Sequence, residues 1–180
     1  MDPPSPAPAE LLELAEKYRA LVALRAQKDG TAVEASRSTL QALAARHPGC
    51  LRELDTLGAP ELARRAGALD AAAAGGPREP WMAWVWAYHR LMRATLATRR
   101  TLGRRAPTSE QAVALAAEAE RLAGFPLDDG FVPAVAAPPQ GRLGVAVLER
   151  LGRLYGQPAA VIADALFPRR RPSPYTLEEP

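Results

Sequence analysis

The chain has 180 residues, of which 48% are hydrophobic and 24% are charged, and this length is enough for one domain with a sizeable core. Cys50 is the single cysteine, which excludes an intrachain disulfide, and the N-terminal residues lack the cationic region and apolar run of a signal peptide. No window holds 18 consecutive apolar residues, so we expect a cytoplasmic protein of bacterial type that does not enter a membrane.

The net charge of +3 is unevenly distributed along the chain. Residues 81–105 contain six basic side chains and no acidic one, whereas residues 1–80 and 106–168 each carry a small acidic excess. Basic charge concentrated in one segment favours attraction of a polyanion or an acidic partner. The chain also uses 21 arginines against two lysines, a skew that a GC-rich genome would produce without any ligand.

The predicted elements begin after a proline-rich lead-in. Residues 1–8 are expected to be disordered or extended, since a proline-rich segment does not form regular structure by itself. Beyond them, leucine and alanine recur every three to four residues, which is the spacing of one helix face. Helices are therefore predicted over residues 9–27, 31–47, 50–57 and 60–74, and Thr31 with Glu34 matches a capping box.

Residues 80–105, PWMAWVWAYHRLMRATLATRRTLGRR, include all three tryptophans and predict one long helix that begins at Pro80 and ends at Gly103. One side of this helix is predicted to face the core and carries Trp81, Trp84, Val85, Tyr88, Met92, Thr95 and Leu96. A different side carries Trp86, Arg90, Arg93, Ala97, Arg100 and Arg104, and we call this set the basic stripe.

The basic stripe has two interpretations. It is either a surface that binds phosphate or an acidic partner, with the indole of Trp86 beside the arginines, or a solvated helix face without a ligand. On the first interpretation the candidate binding residues are Trp86, His89, Arg90, Arg93, Arg100 and Arg104.

The C-terminal third is predicted to be helical with one irregular segment. Thr108 with Gln111 matches a second capping box, which begins a helix that ends at Leu122 or Ala123. Residues 124–141 contain four prolines and three glycines and form either a linker or a loop over the core. Packing over the core is favoured by the apolar residues Phe125, Leu127, Phe131 and Val132. Two further helices are predicted over residues 143–155 and 158–167, followed by a flexible tail over residues 168–180.

Alternation of apolar and polar residues is absent, so no strand is predicted. The predicted fold is all-α, an irregular bundle of about seven helices with disordered N- and C-terminal tails. Residues 9–105 form a helical domain that ends in the long helix, and the helices of residues 106–167 pack on it within the same domain.

The residues that usually carry catalysis are sparse. His47 and Cys50 are three residues apart and His89 is the only other residue of either type, so no metal site is predicted. The chain has no Gly-x-Ser-x-Gly elbow and no glycine-rich phosphate loop, and Asp128 with Asp129 is typical of a turn. We therefore expect no cofactor and no enzymatic activity.

His89 is the exception among the titratable residues. It follows Tyr88 and shares a side of the long helix with Trp86 and Arg93, so it either borders a pocket or is an ordinary surface side chain. A pocket here would be formed by Trp84, Tyr88 and His89.

Residues 142–167, RLGVAVLERLGRLYGQPAAVIADALF, resemble the last two helices of Cro/C1-type helix-turn-helix domains, in which a leucine-spaced helix, a glycine and a short leucine-ended helix follow the DNA-reading part. Where that family places its turn and reading helix, this chain has GFPLDDGFVPAVAAPP. The prolines of this stretch do not suit a recognition helix, so the resemblance assigns no functional residue.

Three functions are consistent with these patterns, and we expect the first, with the second as its main alternative. The first is a non-enzymatic interaction module, a regulator or adaptor that binds a partner protein, or itself, through the Trp/Arg-rich face of the long helix. The second is binding of nucleic acid through the basic stripe, with Arg169 to Arg171 adding backbone contacts. The third is a small-molecule or catalytic pocket beside His89.

Overall fold

We describe a computed structural model of the chain, which covers residues 2–28, 33–103, 105–137 and 143–168. The all-α prediction is confirmed: these residues contain nine helices, against about seven expected, and no strand. The helices are α1 (Pro8–Lys28), α2 (Val33–Arg46), α3 (Cys50–Thr56), α4 (Ala59–Ala73), α5 (Pro80–Leu102), α6 (Ser109–Ala123), α7 (Phe131–Ala136), α8 (Leu143–Tyr155) and α9 (Ala159–Leu166). Within the described ranges, every helix is too short or too polar to cross a membrane.

The long helix α5 has the predicted ends. Pro80 is its first residue, where the missing amide hydrogen of proline costs no helical hydrogen bond. Gly103 follows the last turn with a φ of 59°, a conformation that favours glycine, and its amide donates to the carbonyl of Arg99. With 23 residues, α5 is about 34 Å long.

Helices α1, α6, α7, α8 and α9 pack along α5, while α1 packs mainly along α4. The buried apolar residues of these helices form one continuous core. This arrangement surrounds α5 with protein on several sides, so its burial follows no single stripe.

The predicted core side of α5 is only partly correct. Trp81, Val85, Tyr88, Met92 and Thr95 are buried and Trp84 is half-buried, as expected. Leu96, however, is 37% exposed, and the prediction for it is wrong. Residues outside the predicted side are buried instead, because neighbouring helices cover more than one face: Met82, Trp86, Ala87, His89, Leu91, Ala94 and Thr98.

The proline- and glycine-rich segment after α6 packs over the core, as its apolar residues predicted. Phe125, Phe131 and Val132 are buried. The segment also contains the short helix α7, which the proline content had concealed, because Pro133 lies in the first turn of the helix, where proline is tolerated.

The capping box of Thr108 and Gln111 is confirmed. The Thr108 hydroxyl accepts from the Gln111 amide at 3.3 Å, and the Gln111 side-chain carbonyl accepts from the Thr108 amide at 3.1 Å. The other predicted box depends on Thr31 and the side chain of Glu34, which lie outside the described residues, as do residues 169–180 of the predicted tail.

The N-terminal lead-in is extended and contacts the rest of the molecule. Residues 2–7 contain no helix or strand, and Pro6 is buried. The Tyr155 hydroxyl lies 2.8 Å from the Pro4 carbonyl oxygen and 3.3 Å from that of Ala83, so it connects the lead-in with α5 and α8.

Candidate functional site

A small cleft of about 80 Å³ opens between α1, the end of α2 and α5. It is large enough for a few water molecules or one small polar group. Four of the six predicted site residues line it together: Trp86, His89, Arg90 and Arg93. The other lining residues are Glu10, Glu13, Leu14, Arg46, His47 and Pro48.

The remaining two predicted residues are not part of the cleft. Arg100 is exposed two turns beyond Arg93 on α5, and Arg104 lies outside the described residues. The predicted pocket of Trp84, Tyr88 and His89 does not form as a unit: only His89 borders the cleft, and the Tyr88 ring packs against Phe167 at 5.5 Å.

Trp86 is buried, which corrects the prediction of an exposed indole. Its side chain retains 6% exposure, and its ring centroid lies 5.7 Å from that of Phe125. Phe125 follows α6 and covers this part of α5, a long-range contact that the spacing within α5 does not reveal. The Nε1–H group of Trp86 is buried and has no hydrogen-bond acceptor among the described residues.

Arg90 is half-buried and paired, so it is not a free cation of the stripe. Its guanidinium binds the Glu10 carboxylate and lies 5.2 Å from the centre of the Trp86 ring. It also lies against Gly124, whose φ of +77° ends α6 and where a Cβ atom would approach the guanidinium to 2.8 Å. The two partners Glu10 and Arg90 are 80 residues apart, which is why the sequence did not indicate the pair.

Arg93 and Arg100 behave as the basic stripe predicted. Both are exposed, and neither has an ion pair or hydrogen bond within the described part of the chain. Arg93 is thereby the one arginine of the cleft, so far as it is described, whose charge no carboxylate offsets.

His89 is buried, with 6% exposure, and belongs to a polar cluster as well as to the cleft. Its Nδ1 lies 3.0 Å from the carbonyl oxygen of Pro48, which can only accept, so Nδ1 carries the proton. The unprotonated Nε2 then accepts from the ammonium group of Lys17. Burial lowers the pKa of His89, and the positive charge of Lys17 lowers it further, so the imidazole is neutral.

Lys17 and Glu53 are the charged pair at the centre of this cluster, and both are almost completely buried. Burial alone would raise the pKa of Glu53, but the Lys17 ammonium holds the pKa of that carboxyl well below its usual range. Burial lowers the pKa of Lys17, and the Glu53 carboxylate opposes that shift. Tyr18 completes the cluster by donating its hydroxyl hydrogen to Glu53 Oε1 at 2.7 Å.

The burial of the charged residues Lys17, Glu53 and Arg65 was not predicted from the sequence. Each of these residues lies three positions after one buried apolar residue and four before the next, so the helical spacing places it on a core face. The three sets are Leu14, Lys17 and Leu21; Cys50, Glu53 and Leu57; and Leu62, Arg65 and Leu69.

His47 borders the cleft from the opposite side to α5, and its ring centroid is 6.2 Å from that of His89. Burial lowers the pKa of His47 to about 3, and the Lys17 charge contributes. The two histidines are therefore neutral at physiological pH. Among the described residues, no group of three histidine, cysteine, aspartate or glutamate side chains is placed to hold a metal ion.

The cluster and the cleft have different chemical characters. In the cluster, the ammonium, the carboxylate and the imidazole contact one another, and Glu53 Oε2, which has no hydrogen bond, is ion-paired with the Lys17 ammonium. The cleft differs from the cluster: Arg93 lines it, is exposed and has no partner among the described residues, while Trp86 also lines it but has a fully buried Nε1–H. The unpaired charge of Arg93 suits the cleft to a ligand group that bears negative charge.

No protein-family model, no curated protein sequence and no solved structure matches this chain.

Proposed function

We propose that this protein is a non-enzymatic interaction module that binds an acidic region of a partner protein at the cleft between α1, α2 and α5. The observation that carries this proposal is Arg93, an exposed arginine at the rim of a polar cleft with no carboxylate to offset it among the described residues.

The charges of the cleft support an acidic ligand group. Of the residues that the structure describes, three arginines and two glutamates line it, and the two histidines are neutral. Glu10 offsets Arg90, and Glu13 lies 3.8 Å from Arg46, which leaves the charge of Arg93. A guanidinium forms paired hydrogen bonds with a carboxylate, so an acidic side chain is a suitable counterpart for Arg93.

The size of the cleft supports a macromolecular partner. Sites for whole small molecules usually enclose about 300–1,000 Å³. A cleft of about 80 Å³ accommodates only one functional group. The rest of such a ligand would lie on the surrounding surface, which is the way a protein partner binds.

Nucleic acid is the alternative that the exposed pair Arg93 and Arg100 favours. It is the weaker candidate because the buried Trp86 ring, which lies between Phe125 and Arg90, has no free face on which a base could stack. Binding that depends on few phosphate contacts would also be weak at physiological salt.

An enzymatic role has less support than either binding role. Lys17, Glu53 and His89 have the chemistry of acid–base catalysis, but each is bonded to another member of the cluster. Only His89 reaches the cleft, where its exposed fraction is 6%.

The proposal is tested by capture from native lysate on immobilised protein, with and without nuclease. The wild type is compared with Arg93→Glu and with a control, Arg153→Glu. Arg153 is an exposed arginine of α8 that does not line the cleft, so both variants change the net charge equally. We expect one or more proteins to be retained by the wild type and by Arg153→Glu, to be lost with Arg93→Glu, and to resist nuclease.

Two outcomes would contradict the proposal. Equal capture by the two charge variants would remove the cleft from the binding surface. Loss of the captured material after nuclease treatment, with a steep dependence on salt, would favour the nucleic-acid alternative.

A further inference from the structure

The hydrogen-bond donors around the cleft indicate which acceptor group a ligand would place there. The Trp86 Nε1–H group is buried without an acceptor among the described residues, and a buried unsatisfied donor costs free energy that a ligand acceptor would recover. The other two tryptophan side chains differ from it: Trp81 already donates to the Glu79 carboxylate, and Trp84 does not line the cleft. Among the described residues, Trp86 is therefore the one tryptophan whose side chain lines the cleft and whose N–H lacks an acceptor.

Arg46 is the second donor group that is incompletely used. Its Nη2 atom lies 3.8 Å from Glu13 Oε1, beyond hydrogen-bond distance, and both side chains are more than half exposed. The paired arginines elsewhere are closer to their carboxylates, as in Arg150 with Asp128 at 2.8 Å. This long distance shows that a carboxylate can lie beside Arg46 without a hydrogen bond to it. Replacing the Glu13 carboxylate by a carboxylate of the ligand would therefore cost little binding free energy.

We propose that the cleft receives one carboxylate of the acidic partner, held by the indole N–H of Trp86 and the guanidinium groups of Arg93 and Arg46, and that Glu13 competes with it for Arg46. This inference rests on the proposed function and specifies the group that is recognised.

A carboxylate fits this site better than a phosphate. Glu10 and Glu13 line the cleft, so a ligand with two negative charges meets about twice the repulsion of a ligand with one. The donors, two guanidinium groups and one N–H, match the two oxygens of a carboxylate. The volume of about 80 Å³ matches the size of that group.

The test follows the indole proton of Trp86 by NMR while sodium acetate is added at constant ionic strength, with sodium chloride as the reference. The chain has three tryptophans, and Trp86→Phe identifies the resonance. We expect a saturable shift of the Trp86 indole proton as it gains an acceptor, with the resonances of Trp81 and Trp84 unchanged. Inorganic phosphate is titrated in parallel and is expected to bind more weakly.

Three variants assign the roles. Arg93→Gln is expected to weaken acetate binding by tenfold or more, about the effect of one charge-assisted hydrogen bond, whereas Arg153→Gln leaves it unchanged. Glu13→Gln is expected to strengthen binding by about threefold to tenfold, because it removes one competing negative charge. A gain of affinity is informative because a misfolded variant would not produce it.

Three results would overturn the carboxylate site. The first is that acetate does not shift the Trp86 indole resonance in either the wild type or Glu13→Gln. The second is that Arg93→Gln binds acetate as tightly as the wild type does. The third is that the protein binds phosphate more tightly than acetate. If acetate binds as expected but capture does not depend on Arg93, the site stands and the protein-partner function fails. If capture depends on Arg93 and acetate has no effect, the function stands and the carboxylate site fails.

Discussion

The two lysines of the chain lie in the same helix and have opposite environments. Lys17 has no exposed side-chain surface and is bound by Glu53 and His89, whereas Lys28 is 57% exposed and pairs with Asp55 at 3.0 Å. Removing one member of a buried ion pair leaves the other charge in a poorly solvating interior, which is more costly than losing a solvated pair. The two lysines of α1 therefore allow the loss of a buried ion pair to be compared with the loss of an exposed one.

We predict that Lys17→Met lowers the free energy of unfolding by about 3–5 kcal/mol, because Glu53 would remain buried without a counter-charge. Lys28→Met should lower it by less than about 1 kcal/mol. Urea unfolding followed by circular dichroism measures both.

The double variant Lys17→Met with Glu53→Gln should recover most of the stability that Lys17→Met loses. If the glutamine amide nitrogen takes the position of Glu53 Oε1, one of its hydrogens can be donated to His89 Nε2, 3.3 Å away, and the other to the Tyr18 hydroxyl oxygen, 2.7 Å away. If the single and double variants are equally unstable, the cost does not arise from the unpaired carboxylate.

The two histidines stay neutral for the same physical reason. Both are buried and both lie near the positive charge of Lys17, so their pKa values are lowered in the folded protein. In the unfolded chain they bind protons below about pH 6.5. The stability that depends on their neutral forms is complete above that pH and is lost as the pH falls, since the unfolded state then binds more protons.

We predict that the free energy of unfolding decreases between about pH 6 and pH 5 with a slope that approaches 1.4 kcal/mol per pH unit for each histidine. His47→Gln should remove one of the two contributions. Urea unfolding at a series of pH values measures the slope, and the imidazole proton resonances should show no titration in the folded protein over that range. Histidines that titrate near pH 6.5 would contradict the prediction.

Among the helices, α9 is connected to α4 by hydrogen bonds from Arg65. Its Nη2 donates to the Ala165 carbonyl at 2.5 Å and its Nη1 to that of Leu166 at 3.4 Å. These carbonyls are at the end of α9, where no further helical turn supplies an amide donor. The guanidinium also lies 5.0 Å from the centre of the Trp81 ring, so the residue joins three helices.

We predict that Arg65→Met destabilises the protein by about 2–4 kcal/mol and speeds hydrogen exchange of the α9 amides, because buried carbonyls lose their donors. Arg64→Met is the matched control. Arg64 also binds Glu61, at 2.8 and 2.9 Å, but is half exposed, so the expected loss is under about 1 kcal/mol. Hydrogen exchange measured by mass spectrometry distinguishes the two, and unchanged protection of α9 in Arg65→Met would be the contrary result.

At the scale of the whole molecule, one core extends around α5 from the α1 and α4 pair to α8 and α9. Leu91, at the middle of α5, is 1% exposed and faces the crevice where α7 and α8 meet α5. A cavity at this position would affect the packing of several helices at once. The domain is therefore expected to unfold as one cooperative unit.

We predict that Leu91→Ala costs about 2–5 kcal/mol, while Leu96→Ala, on the exposed side of the same helix, costs less than about 1 kcal/mol. Tryptophan fluorescence reports on α5, and far-ultraviolet circular dichroism reports on all helices. The two transitions should coincide in the wild type and in both variants. Separate transitions would mean that the helices after α5 unfold independently.

The all-α class, most helix boundaries, the ends of α5 and the capping box of α6 followed from the sequence alone. These features depend on residues near one another in the chain, such as Pro80 at a first turn and Thr108 with Gln111. The spacing within α5 also placed Arg93 and Arg100 on an exposed side. Local hydrogen bonding and helical periodicity are sufficient for such conclusions.

The tertiary structure alone decided which side chains of the basic stripe are free. Trp86 is covered by Phe125 and Arg90 is paired with Glu10, through contacts that join residues about 40 and 80 positions apart. It also decided that Lys17, Glu53 and His89 meet in the interior. Whether a charge is solvated or paired depends on which distant elements pack against it, and helical spacing contains no information about those partners.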